Sequence, residues 1–157
     1  MAEGQDKIWK MLDDVDICML VDRFQAGLRA RPMWFMVEDD RSCIWMVVNL
    51  DTGTVDEVQA NPEVCVSIQD GNDYVSITGR AQAMRDVAKQ KELWSPWADA
   101  WFEGGHDDPK AGLLKITPVA GEYWDNPSKT MSSIRMMIAS ATDTTPDMGE
   151  NEKVQFG

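Results

Sequence analysis

Three kinds of group in this sequence have the makings of a binding site: a guanidinium, a helical first turn and a polar break between apolar segments. Leu50-Asp51-Thr52-Gly53-Thr54 interrupts an apolar stretch, and Val55 and Val58, three apart, open a short helix that Asn61-Pro62 stops. The first turn of a helix carries backbone N–H groups with no intrahelical acceptor, and it favours an anion once a cation joins it. Arg31, in an upstream strand-like segment, is the candidate cation. The other clusters of reactive types read as structure. His106-Asp107-Asp108 sets one imidazole beside two carboxylates without the spaced ligand set of a metal centre, so no metal is expected. Asp39-Asp40 and Asp13-Asp14 read as solvated turns. Cys18, Cys43 and Cys65 are odd in number, far apart and inside apolar runs with no CxxC, which predicts reduced core thiols. No triad or acid–base pair emerges, so no side chain is assigned as catalytic.

The elements that must position these groups are mostly strands. Arg31 to Val37 (RPMWFMV) and Cys43 to Val48 (CIWMVV) are rich in aromatic and β-branched residues and flank the turn signal 38–42, which predicts a hairpin. Ile17 to Val21 is a continuous apolar run followed by a turn at 25–27. Val64, Val66 and Ile68 alternate with polar residues, as do Val75 and Ile77, with Gly71-Asn72-Asp73 between them as a second hairpin turn. Gly79 within the continuing strand predicts a bulge or a close backbone approach. A last strand is expected through Lys115 to Thr117, bending at Pro118 and continuing to Tyr123 and Trp124.

Helical periodicity appears in four further places. Ile8, Met11, Leu12 and Val15 define an amphipathic lid, with Trp9 packed between helix and sheet. Residues 86–93 form a short helix. Ser95-Pro96 starts another that Gly104-Gly105 ends, placing Trp94, Trp97 and Trp101 on one face as core or subunit interface. Ser128 caps a C-terminal helix whose apolar stripe is Met131, Ile134 and Ile138. The reading is one domain over residues 1–142, then a polar, mobile or loosely docked tail over 143–157.

Composition limits the partners. A formal charge of −12 and a pI near 4.4 argue against nucleic acid, which needs clustered Lys and Arg, and against anionic membranes. The N-terminus shows no basic start with an apolar run and no window approaches a membrane span, so a cytoplasmic protein is expected.

Periodicity alone yields a small mixed β domain. The run from Trp97 to Pro109 (WADAWFEGGHDDP), with Leu113 to Pro118 (LLKITP) and Glu122 to Asp125 (EYWD), is more specific. Together with the order of elements, it resembles the FMN-binding split barrel of the pyridoxamine 5′-phosphate oxidase superfamily, in its general stress protein branch, over nearly the whole chain. The resemblance implies a mainly β (α+β) fold: an antiparallel six-stranded split β-barrel with peripheral helices. It also implies a homodimer with FMN at the interface. The ring would lie along Trp45, Met46, Val47 and Val48, the phosphate at Thr52, Gly53 and Thr54 with Arg31, and Trp124 or Trp97 of either subunit near the ring.

Two positions depart from that family's pattern. A lysine normally follows the small hydroxyl residue of the phosphate turn, and Thr54 stands in its place. Val48 replaces a common threonine, and Asp51, Asp56 and Glu57 add negative charge nearby. FMN binding is therefore expected to be weakened. The expected function is a flavin-dependent redox protein, an FMN-dependent oxidoreductase acting on a small molecule, with the cofactor carrying the chemistry. The alternative is a non-enzymatic stress protein of the same fold with weakened flavin binding or another anionic ligand.

Overall fold

Alternating strand patterns separated by tight turns produce one antiparallel sheet in the computed structural model, which describes residues 3–146 and 149–157. Its strands are β1 (Ile17–Phe24), β2 (Gly27–Trp34), β3 (Met36–Val37), β4 (Ile44–Asn49), β5 (Glu63–Asp70), β6 (Asp73–Met84), β7 (Ala111–Asp125) and β8 (Glu150–Gln155). They run in the order β2-β1-β5-β6-β7-β4-β3, with β8 also on β7. The split-barrel class is as expected; the strand number is eight rather than six.

One extra strand arises because the segment 31–37 serves two partners. Trp34 pairs with Ile17 of β1, whereas Met36 and Val37 pair with Trp45 and Ile44 of β4. Between them Phe35 is buried and its N–H donates to the Asp16 carbonyl at 3.1 Å. One bent segment thus supplies both ends of the strand path, which curls the sheet onto itself. The period of two marks a strand but does not name its partner.

The other extra strand is β8. Composition reads residues 143–157 as a polar, mobile or loosely docked tail, but 150–155 pair with Ala120–Asp125 along the edge of β7 that β4 leaves free. Val154 is buried there, and Phe156 meets Trp9 edge-on at 5.7 Å between centroids. Main-chain pairing needs no apolar side chains, so one valine and one aromatic suffice to dock a charged strand. Asp147 and Met148 of that segment lie outside the described residues.

Gly79 fulfils both roles expected of it. The β6–β7 register shifts between Thr78 and Gly79, and a Cβ at Gly79 would sit 2.8 Å from Ile116 Cγ2 and 2.9 Å from the Thr117 carbonyl oxygen. The bulge adds twist where the sheet must curve. Inside the curl pack Leu20, Met46, Val66, Ile77, Leu114 and Ile116.

Helix α1 (Glu3–Asp13) covers one end through Ile8, Trp9 and Leu12, all buried. Then come α2 (Gly53–Ala60), α3 (Val87–Leu93), capped by Asp86 accepting from the Lys89 N–H, and α4 (Pro96–Asp99). Helix α4 is one turn, not the longer helix expected up to Gly104, so Trp97 and Trp101 do not join Trp94 in a packed stripe. Helix α5 (Lys129–Thr142) is capped by Ser128 as expected, yet Met131, Ile134, Met136, Met137 and Ile138 are all exposed. Among the described residues no helix is long and apolar enough to cross a membrane.

Candidate functional site

Strand β3 ends after two residues, so β4 is paired along one edge with β7 but, beyond Trp45, has no strand partner on the other edge among the described residues. That free edge, at Val47, Val48 and Asn49, floors a cleft of about 700 Å³. Trp34, Phe35 and Met36 at the β2–β3 bend form one wall, and Trp97, Trp101 and Phe102 form the other. Trp34 and Trp97 meet across it with centroids 5.1 Å apart and planes tilted by 33°. Thr52 and Thr54 close the end nearest α2. Trp97 and Trp101 are 55% and 77% exposed, too open for the core, one of the two roles expected of them beside a subunit interface.

The segment bearing Trp97 and Trp101 is pinned by groups that sequence reasoning missed. Arg85 donates to the carbonyls of Asp107, Asp108 and Ala111 at 3.1, 2.6 and 3.0 Å. Buried Gln90 donates to the His106 carbonyl at 2.9 Å and accepts from the Asp86 N–H. Asp108 accepts from the Gly104 and Lys110 amides, which hold its carboxyl below the usual range. The His106-Asp107-Asp108 loop is thus a structural staple for the cleft wall. Among the described residues no three metal-binding side chains converge.

The expected site residues divide. Val47, Val48, Thr52 and Thr54 line the cleft. Met46 is fully buried in the core, and Trp45 packs with Cys43 and Leu113, its Nε1 donating to Glu38 Oε2 at 2.7 Å. Lys89 bonds the same carboxylate at 2.8 Å, and the Lys89 and Trp45 donors hold the Glu38 carboxyl down. Trp45 and Met46 can therefore offer a ligand main chain at most. Trp124 stands opposite Tyr74 on β6 and lines a separate recess with Met19 and Asn126.

At the turn, Asn49 organises the backbone, a role its type and position before the break might have suggested. Its carbonyl accepts from the Thr52 N–H and from Thr52 Oγ1, and its Oδ1 accepts from the Asp51 N–H. The Val55 N–H turns back to the Thr52 carbonyl. The N–H groups of Gly53 and Thr54 have no partner among the described residues.

Arg31 is heavily engaged. Its Nη2 lies 3.1 Å from both Asp22 carboxylate oxygens and 2.6 Å from Glu57 Oε2, and its Nη1 donates to Thr54 Oγ1. Arg29 pairs with Glu57 at 3.3 Å and lies over the Phe24 ring. Nε of both arginines is buried without a partner among the described residues. The Asp22 side chain is wholly buried; burial raises its carboxyl and the bond to Glu57 adds to this, while Arg31 opposes it. At Glu57 burial also pushes upward, but the adjoining Asp22 carboxyl and the Arg31 guanidinium outweigh it and hold that carboxyl low. Asp22 was legible in part: along β1, Cys18, Leu20 and Asp22 occupy successive inward positions, and a charge there calls for a partner.

The cleft therefore fits the ring of an FMN-type cofactor, with a free strand edge and aromatic walls, better than it fits the phosphate. Arg31 is absent from the cleft lining and reaches it only through Thr54.

The family model described as "Pyridoxamine 5'-phosphate oxidase like" matches residues 3–147. The crystal structure of a protein assigned to general stress protein 26 from Jannaschia sp. CCS1 superposes with a TM-score of 0.81 at 34% identity, covering 99% of each chain. The general stress FMN/FAD binding protein from Xanthomonas citri is 28% identical, with a TM-score of 0.69 over 80% of this chain and 90% of its own. General stress protein 26 of Bacillus subtilis (strain 168) is 24% identical over 137 residues, 84% of this chain and 96% of that protein. A family match across nearly all of its length, and a relative of one-third identity aligned end to end, mean that the chain belongs to the pyridoxamine 5'-phosphate oxidase like family, in its general stress protein 26 branch.

Proposed function

We propose that this protein is a flavin-binding general stress protein with a redox role, holding the flavin ring in the cleft beside β4. The observation that carries the reading is the unpaired edge of β4 inside an aromatic cleft of about 700 Å³, a volume within the range of cofactor pockets. Main-chain N–H and C=O groups on that edge suit the polar rim of a planar heterocycle, whatever the side chains. Trp34 and Trp97, packed against one another at the cleft, offer an aromatic face against which such a ring can lie. When bound, a flavin supplies one- or two-electron transfer with a small-molecule partner. A relative that is a general stress FMN/FAD binding protein supports the assignment. The three cysteines form no disulfide, which suits a reducing cytoplasm.

The active form in this reading is a homodimer. Helix α5 exposes five large apolar side chains, and Trp101 stands 77% exposed at the cleft mouth, surfaces that a second copy would cover. The second reading, a non-enzymatic stress protein with weakened flavin affinity or another ligand, is favoured by one observation: the paired state of Arg31.

Flavin titration of the purified protein, followed by quenching of flavin and tryptophan fluorescence, decides between the two. Saturable quenching with a perturbed flavin spectrum is expected, together with a dimer in sedimentation at micromolar concentration. A colourless protein that takes up no flavin supports the second reading, and a strict monomer removes the shared site.

A further inference from the structure

Where a phosphate would dock in a flavin site of this shape, the chain has already placed its own anions. Two guanidinium groups, Arg29 and Arg31, face two carboxyls, Asp22 and Glu57, and the formal charges cancel when both acids are ionised. The arrangement is built: the Asp22 side chain is fully buried, Glu57 is 13% exposed, and Arg31 spends Nη1 on Thr54 and Nη2 on both carboxylates. Thr54 belongs to the cleft lining, so the cluster lies directly behind the cleft's tail end. The charges next to this turn in sequence, on exposed Asp51 and Asp56, are negative as well. What the turn still offers are uncharged donors, the N–H groups of Gly53 and Thr54 and the Thr54 hydroxyl hydrogen.

From this arrangement we infer that Asp22 and Glu57 are specificity-determining residues that make the tail end of the cleft discriminate against a phosphomonoester dianion and favour a flavin with an uncharged ribityl tail. The inference rests on the flavin reading above. A dianion brought to Thr54 meets, among the described residues, only guanidinium groups already paired with carboxyls, whose one unengaged nitrogen, Nε, is buried in both Arg29 and Arg31. To recruit Arg31 it must break two ion pairs and leave a buried carboxylate unpaired, an outcome that opposes binding. A neutral polyol asks only for hydrogen bonds, which the free amides and Thr54 supply. Specificity here comes from the repulsive element, the pair of carboxylates, rather than from an added attraction.

The test titrates wild type, Glu57→Gln and Asp22→Asn with riboflavin and with FMN, using flavin fluorescence and checking each fold by circular dichroism. Wild type is expected to bind riboflavin at least as tightly as FMN. Glu57→Gln, at the partly exposed member of the pair, frees one guanidinium without changing shape; FMN should then tighten by about tenfold, the worth of one charge-assisted hydrogen bond, with riboflavin moving far less. The gain should shrink as salt rises, whereas a mere change in packing would shift both flavins alike. Asp22→Asn tests the same charge independently if Glu57→Gln folds poorly. Wild-type preference for FMN by tenfold or more, or equal shifts for both flavins in the variants, overturns the inference while leaving the flavin reading intact. Binding of neither flavin by any of the three proteins overturns both.

Discussion

Removing Arg31 tests the charge cluster through stability instead of binding. Arg31→Ala leaves the wholly buried Asp22 carboxyl facing Glu57, with Arg29 touching only the latter at 3.3 Å. Taking one partner from a buried ion pair costs about 3–5 kcal/mol. Arg31 and Glu57 keep 18% and 13% exposure, so some water enters, and Asp22 can take up a proton. The lower end, about 3 kcal/mol, is therefore expected, a fall in melting temperature of about 6–12 °C for a chain of this size. The pH dependence has a definite sign. Burial and the bond to Glu57 already raise the Asp22 carboxyl, and Arg31 is the group opposing this. Without it the carboxyl rises further. A carboxyl raised in the folded state keeps a proton that the unfolded chain releases, so stability falls as pH climbs from the ordinary aspartate value through the folded one. The deficit of Arg31→Ala should accordingly be smallest in acid, where Asp22 is neutral, and grow to a plateau above that window. Urea unfolding of wild type, Arg31→Ala, Asp22→Asn and the double variant across pH reads this directly. Asp22→Asn should recover part of the loss in the Arg31→Ala background, a coupling of about 1–3 kcal/mol. A deficit below about 1 kcal/mol, or one independent of pH, would refute the idea that Arg31 holds a buried carboxylate pair together.

Other expectations are simpler to check. Deleting residues 150–157 removes β8, the buried Val154 and the Trp9–Phe156 contact; burial of one valine and one aromatic pair together amount to about 2–4.5 kcal/mol, so the melting temperature should drop by several degrees. An unchanged melt would return those residues to a dispensable tail. Burial pushes the Cys18 thiol up to about 12 and raises Cys43 as well, whereas Cys65 is only half-buried. A thiol reagent at neutral pH should therefore modify Cys65 first in the native protein and all three only after unfolding; rapid native modification of Cys18 would show that β1 opens readily.

Much of the scaffold was legible from local pattern. Alternation in 64–68 and 75–77 around Gly71-Asn72-Asp73 predicts the β5–β6 hairpin, which forms with Asp70 opposite Asp73. Ser128 is the helix cap it promised to be, and Gly79 is both bulge and close approach. These features depend on neighbours within a few residues, so composition and spacing carry them. Family membership was legible too, from the Trp97–Pro109 run and the strand that follows it.

Tertiary structure decided what depends on distant partners. The segment 31–37 has one strand-like pattern, and only the arrival of β1 on one side and β4 on the other divides it at Phe35. Trp97 and Trp101 became cleft walls because α4 stops after one turn and Arg85 and Gln90 tie the next residues down. Arg31 looked like a cation free for a phosphate. Its neutralisation requires Asp22, nine residues earlier, brought opposite by the β1–β2 pairing, and Glu57, twenty-six residues later, brought by α2 packing on β1. Period and propensity specify what an element is, but the charge a side chain meets is set by which elements the fold lays against it, and that decided whether this turn presents a free cation or a neutral cluster.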